Sequence, residues 1–291
     1  MYNAIAANKR NTIFVMAVFV AIIGVIGYLV SLYLGDVSIT YVVLGMAALY
    51  ALLQYFLASK LAIAMTGAEE IQKQDNPRLY RIVENLAITT GMDMPKVYMI
   101  DDPAPNAFAT GRDPKHAIVG VTTGLMDIMN DRELEAVMAH EISHVRNYDI
   151  RVSMIAFGLV SAIGLLSDIV LRMLFFRDDR DSNVHPAVYI VGLLVVILAP
   201  IVAAIVQMAV SRQREYLADA TGALTTRDSE GMASALGKLQ QYGRPMQKQN
   251  SASANLFLSN PLKSGFFSKL FSTHPPLEDR IARLRSNENK F

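Results

Sequence analysis

The chain of 291 residues has no cysteine, no tryptophan and only five histidines. Without cysteine there can be no disulfide and no thiolate metal site, and the composition fits a reducing compartment. Charge is scarce as well: Asp, Glu, Lys and Arg together make up 18% of the residues, below the usual quarter. Basic residues number 27 against 26 acidic ones, a formal net charge of +1, so nothing points to a nucleic-acid partner. There is no internal repeat and no low-complexity segment.

The missing charge has a location. Residues 12–34 carry none, and the run is long enough to cross a bilayer as a helix. A second uncharged run covers 37–59, and Gly35 and Asp36 between them leave room only for a tight transmembrane hairpin. Two further runs lie at about 152–176 and 187–210, giving about four spans. The fourth tolerates Pro200, as membrane helices can. The third is interrupted by Asp168 and Arg172, which can pair at i,i+4; its alternative is a helix lying partly against a soluble domain. The first run is too long for a secretory-signal core and has no small-residue cleavage site, so it reads as a retained anchor. Lys9 and Arg10 before it mark the amino terminus as cytoplasmic, and four spans return the carboxyl terminus to the same side.

Between the second and third runs the pattern is that of a soluble α+β segment. Asn76-Pro77 opens a helix that Gly91 stops, Lys96–Ile100 and Ala117–Thr122 read as strands, and prolines and Gly111 punctuate a loop or irregular strand around Asn106–Thr110. After 215 the chain is soluble again, with a short helix capped by Ser229, a surface loop over 243–265 and a terminal helix opened by Thr273-His274-Pro275-Pro276.

The densest chemistry lies at His140-Glu141-Ile142-Ser143-His144. On a helix, residues i and i+4 share a face one turn apart, so two imidazoles can reach one metal ion. The glutamate between them can take a proton from a metal-activated water, the minimal equipment of a zinc hydrolase that cuts peptide bonds. Two histidines at this spacing can also be plain surface residues. Against that stand a strong helix signal, with Asn130 or Asp131 as cap and Glu133 and Glu135 in the first turn, and the use here of two of the five histidines. Zinc needs a third protein ligand and an open position. Glu215, which starts a helical run, is the best candidate, and aspartates near the first helix, such as Asp149, are rivals. Asp219, one turn after Glu215, can hold a ligating histidine in the right tautomer.

Four segments in this order, Pro105-Asn106-Ala107-Phe108-Ala109-Thr110-Gly111, His140–His144, Arg214-Glu215-Tyr216-Leu217-Ala218-Asp219-Ala220 and Thr273-His274-Pro275-Pro276 followed by Arg280, carry a resemblance over nearly the whole chain. The sequence resembles the HtpX family of bacterial and archaeal membrane zinc proteases, relatives of the eukaryotic CAAX prenyl protease. The resemblance implies a membrane α-helical protein with an α+β zincin-like (gluzincin) protease domain whose small β-sheet lies beside the metal helix. It divides the chain into a transmembrane hairpin, 1–65, and a cytoplasmic metalloprotease domain, 66–291, interrupted by the two later hydrophobic helices. It implies one Zn2+ per chain held by His140, His144 and Glu215, with Glu141 as general base and Asp219 supporting a ligand. His274 and Arg280 match residues near the zinc in the prenyl-protease relatives, where they stabilise the tetrahedral intermediate. Asn106, Ala107, Phe108 and Ala109 match the edge strand along which substrate lies. The implied activity is a zinc metalloendopeptidase, in a stress response, that removes misfolded or damaged membrane proteins at the bacterial inner membrane. Its partners are then polypeptides and the lipid bilayer. Two other classes compete. A processing peptidase for lipidated peptides suits a relative with seven transmembrane helices and a large chamber, more than this chain has room for. A non-catalytic scaffold would need a broken motif, and Glu141 is intact.

Overall fold

The structure is a computed structural model that describes residues 2–156, 158, 159, 162, 212–248, 256–259 and 275–286. Helices α1 (Tyr2–Leu34) and α2 (Ser38–Thr66) form the expected antiparallel hairpin, closed at Gly35–Val37. Gly24 and Gly27 of α1 admit Leu44 and Val43 of α2 closely, and the Phe19 and Tyr50 rings meet at 5.8 Å. Both helices are longer than the uncharged runs, extending at the end away from the turn. Their outer faces expose Phe14, Val25, Leu32, Val42, Met46 and Leu49. An apolar surface this large would be an aggregation liability in water and is at home in lipid.

Among the described residues these two helices are long and apolar enough to cross a membrane. The run expected at 152–176 begins as a helix over 149–156, and its Val152, Ile155 and Leu159 share a buried cluster with Val15, Phe19, Ala47 and Ala51 of the hairpin. The rest of that run, beyond 162, and the run expected at 187–210 lie outside the described residues.

The soluble part is built around one central helix. Helix α3 (Pro77–Thr90) starts where Asn76 Oδ1 accepts the Leu79 N–H at 3.0 Å, and ends at Gly91, whose φ of 66° suits glycine. A four-stranded sheet of β1 (Glu69–Glu70), β2 (Lys96–Ile100), β3 (Ala107–Thr110) and β4 (Ile118–Thr122) follows in the order β1-β2-β4-β3. The β2–β4 pair is parallel; β3 runs antiparallel to β4, with Phe108 opposite Gly120. A short helix, α4 (Thr123–Ile128), leads into α5 (Asp131–Arg146), which carries the two histidines. Asn130 caps α5 in a reciprocal box with Glu133, each side chain accepting the other's backbone N–H at 2.9 Å. Glu133 is itself buried and also accepts from Ser234 at 2.7 Å and from Lys238 at 2.6 Å. Those two residues belong to α7 (Ser229–Tyr242), so the cap also ties α5 to a second helix. The cap of α7 is Asp228 rather than the expected Ser229: its carboxylate accepts the Gly231 N–H at 2.8 Å, and a negative charge at that end also suits the helix dipole.

Helix α5 buries Leu134, Val137, Met138, Ile142 and Val145 in the main core. Its exposed-polar face, as the sequence draws it, is no surface at all: α6 (Arg212–Thr226) lies across it. Glu215, Asp219 and Gly222 share one face of α6 at i, i+4 and i+7, and all three are buried. A Cβ at Gly222 would come 3.1 Å from the His140 backbone nitrogen. That closeness lets α6 carry two carboxylates up to His140. The carboxyl-terminal helix α8 (Leu277–Ser286) packs on α7 and α6 and buries Arg280 completely.

The contact at Gly222 gives a stability prediction. Gly222→Ala should be close to neutral, because the added methyl's tight contact offsets a helix-propensity gain of about 1 kcal/mol. Gly222→Val should destabilise by about 1–3 kcal/mol through overpacking. Thermal unfolding in detergent measures both; a valine variant as stable as the native chain would show that the two helices are free to separate.

Candidate metal centre

Two imidazoles meet between α5 and α6. His140 Nε2 and His144 Nε2 stand 3.1 Å apart, with the rings nearly perpendicular at 88°. The Glu215 carboxylate closes the triangle, Oε2 lying 3.6 Å from His140 Nε2 and Oε1 3.5 Å from His144 Nε2. Two ligands each about 2.0–2.1 Å from one zinc at the tetrahedral angle would stand about 3.3 Å apart. The three observed separations bracket that distance, and these residues form a group able to hold a metal ion. His140, Glu141 and Glu215 are almost wholly buried, while His144 is partly open to a cleft. That cleft is lined by Ala109, Glu141, Ile150, Ser153 and Arg214 beside the triad, and by Leu256, Phe257 and Leu258.

Each imidazole is held from behind by a carboxylate. Asp219 Oδ1 lies 2.9 Å from His140 Nδ1, and Asp149 Oδ2 lies 3.1 Å from His144 Nδ1. An acceptor at Nδ1 keeps the proton there and leaves the Nε2 lone pair for a metal. Asp149, a rival ligand on sequence grounds, thus stands on the far side of His144 from Glu215. Arg280 grips Asp219 with two hydrogen bonds, Nε to Oδ2 at 2.8 Å and Nη2 to Oδ1 at 2.6 Å, and its Nη1 lies 3.4 Å from Glu215 Oε2.

The local field follows from these contacts. Burial would lower the His140 pKa, but the carboxylates of Asp219 and Glu215 outweigh it and raise it. Burial likewise opposes charge on His144, yet Asp149 and then Glu215 push it up to about 9. Burial raises the Glu141 carboxyl above its ordinary value, against the pull of both histidines. Asp219 goes the other way: burial would raise it, but Arg280 and His140 hold it down to about 2. The centre as a whole attracts positive charge, and a metal entering it would displace protons from the imidazoles.

Asn106–Ala109 do not form the open edge that the sequence suggests. All four are buried, and the outer ladder of β3 is taken by residues 256–259 of the same chain. Phe257 bridges Phe108 in antiparallel sense, and the Leu258 N–H donates to Ala107 O at 2.8 Å. The Asn106 amide completes the pairing, accepting from Ser259 N–H at 3.1 Å and donating to Ser259 O at 2.9 Å. An unpaired edge strand leaves a row of bare amides and carbonyls, and here part of the loop expected at 243–265 covers them. His274 lies outside the described residues.

Comparison with known proteins gives the family. Residues 73–288 match the model of peptidase family M48. The protease HtpX homolog of Tropheryma whipplei (strain Twist) is 56% identical over 291 residues, covering the whole of both chains. That of Streptococcus pneumoniae (strain Hungary19A-6) is 44% identical, over 98% of this chain and 99% of its own. Among solved structures, S. mikatae Ste24p superposes with a TM-score of 0.53 at 19% identity, over 98% of this chain and 67% of that one, a likeness of fold. With its paired histidines and glutamate and its two helices fit for a membrane, the chain belongs to peptidase family M48 and is a metalloprotease of the HtpX family.

Proposed function

We propose that this metalloprotease is a zinc endopeptidase of the bacterial inner membrane that cuts misfolded or damaged membrane proteins on the cytoplasmic side. The observation that carries the reading is the convergence of His140 Nε2, His144 Nε2 and Glu215 on one point beside Glu141. Two nitrogens and a carboxylate, each nitrogen backed by an acceptor, are a donor set that suits zinc. Zinc bound there supplies a Lewis acid for the scissile carbonyl and lowers the pKa of a water.

The protein's own groups do the rest. Glu141 accepts the proton of the attacking water and returns it to the leaving amine. Asp219 and Asp149 hold the imidazoles so that Nε2 faces the centre. Arg280 is committed to Asp219 and Glu215, so we assign it to holding those carboxylates and offsetting their charge, in place of the contact with the tetrahedral intermediate that the resemblance implied. His274 remains the resemblance's candidate for that contact. Asn106–Ala109 supply the ladder for an extended peptide, which would enter by displacing residues 256–259.

The proposed location rests on the hairpin. At the end away from its turn, Asn8 of α1 bonds Asp149 and Thr66 of α2 leads into β1, and the outer faces of both helices are apolar. The centre is thereby held at a membrane surface, where unfolded segments of membrane proteins are the polypeptides within reach. The basic residues Lys9 and Arg10 at the amino terminus support a cytoplasmic side for that surface.

Purified full-length protein tests the chemistry. Glu141→Gln should bind zinc as the native chain does and lose about 100- to 10,000-fold of its rate on an unfolded reporter. Cleavage within tenfold of native would remove Glu141 as the base.

Zinc titration by chelator competition tests the ligand set. Glu215→Ala should lose zinc and activity together, while Asp219→Ala should weaken affinity by about 10–100-fold. Native-like affinity in Glu215→Ala would mean that another residue is the third ligand.

Reporter fusions test the topology. A fusion after Gly35 should lie outside, and fusions after Gly91 and at the carboxyl terminus inside; an external carboxyl-terminal reporter would require an odd number of spans.

A further inference from the structure

The amino-terminal helix reaches the centre. Asn8, in the first turns of α1, is buried, although the sequence around it, Ala6-Ala7-Asn8-Lys9-Arg10-Asn11, reads as a polar tail ahead of a membrane span. Its Nδ2 donates to Asp149 Oδ1 at 2.6 Å and to Asn147 O at 2.8 Å. Both of those groups only accept, so the amide nitrogen is what faces them. The other Asp149 oxygen is the one beside His144 Nδ1, at 3.1 Å. Asn147 and Asp149 are themselves buried, and Arg214 Nε lies 3.6 Å from Asp149 Oδ1. A side chain 141 positions away in sequence therefore fixes the carboxylate that fixes a metal-facing histidine.

We propose that Asn8 and Asp149 are positioning residues for His144, and that the first membrane helix thereby completes the metal centre. The proposal rests on the metal reading of His144. Asp149 opens the helix over 149–156, just after the short connection Asn147–Tyr148, where Tyr148 takes a left-handed φ of 62°. A carboxylate there can turn about its side-chain bonds unless something holds it. Asn8 is that restraint: its two hydrogen bonds orient one Asp149 oxygen and tie it to the Asn147 carbonyl, which leaves the second oxygen directed at the imidazole. His140 needs no such help, because Arg280 restrains Asp219 in the corresponding way. The two histidines are thus secured by parallel arrangements, one from α8 and one from α1.

The bland alternative is that Asn8 only glues α1 to the soluble part. Val15, about two turns further along α1 and buried among Val152 and Ile155, supplies the control. The experiment uses full-length protein in detergent and reads zinc affinity by chelator competition and the visible absorption bands of the cobalt-substituted protein. Asn8→Ala should weaken zinc binding about tenfold and Asp149→Asn about 10–100-fold, both with altered cobalt bands, because the ring of His144 is no longer held. Val15→Ala should lower the melting temperature with zinc affinity and cobalt bands as in the native chain. If Asn8→Ala is too unstable to purify, Asp149→Asn, nearly identical in shape, carries the same test. Native-like affinity and spectrum in Asp149→Asn overturn the proposal, as does a loss in Val15→Ala equal to that in Asn8→Ala. A native chain that binds no zinc or cobalt would instead overturn the metal reading itself.

Discussion

The structure depends on burying more negative than positive charge in one place. Among the described residues four carboxylates, of Glu141, Asp149, Glu215 and Asp219, stand around the two imidazoles, with the half-buried guanidinium of Arg214 and the buried one of Arg280. An isolated buried ion costs several kcal/mol even after relaxation, so the cluster exists only if partners arrive together. They come from α1, α5, α6 and α8 and from the start of the helix over 149–156. A divalent cation would offset this excess of negative charge. The same carboxylates, Asp149 first and then Glu215, raise the His144 pKa to about 9 despite burial. Close approach of α6 serves this cluster: at Gly222 the helix passes so near His140 that a Cβ there would lie 3.1 Å from its backbone nitrogen.

What could be read in the sequence was what neighbouring residues decide. The two histidines, their glutamate, the Asn76-Pro77 start and the Gly91 stop of α3 and the strand at Lys96–Ile100 are local patterns, and they stand where the sequence puts them. Ser229 was misread as a cap by a single position, because Asp228 and Ser229 are both good caps and only the geometry of the turn chooses. Asp149 was legible as an acidic residue near the metal helix but not as a support: five positions past His144, beyond the helix end, spacing does not say which face of the ring it will meet. Asn8 gave no signal at all. A hydrogen bond between residues 8 and 149 leaves no periodicity, and an asparagine beside Lys9 and Arg10 looks like part of a solvated tail.

The edge strand shows a conflict between two uses of the same atoms. A ladder that accepts extended peptides without regard to sequence must expose backbone groups, and exposed backbone groups invite unwanted pairing. Here β3 is satisfied by residues 256–259, with the Asn106 amide standing in for one more peptide unit. The described part of the cover combines hydrogen bonds and the Phe108–Phe257 ring contact at 5.8 Å with burial of Leu256, Phe257 and Leu258. Each such bond contributes about 1 kcal/mol net, so a peptide that forms the same ladder replaces the bonds at little cost, but it must also replace the apolar burial. The segment also adds Leu256 and Phe257 to the wall of the cleft, so the cover and the mouth of the site are one structure.

These contacts also decide how the hairpin relates to the protease. A simple tether would need no buried polar contact with the soluble part and no shared core. Instead α1 and α2 share a hydrophobic cluster with the helix that follows Asp149, and Tyr50 of α2 donates to Gly158 O at 2.9 Å. Asn8 extends that interface to the metal centre. Polar side chains near a bilayer are costly unless paired, so a buried asparagine at the foot of a membrane helix fixes depth and rotation together. The lipid-facing surface of the hairpin sets the height of the protein in the membrane, and through Asn8 and Asp149 the same helix sets the orientation of His144. Anchor and catalytic centre are therefore parts of one packed unit, and the membrane defines the frame in which the site is assembled.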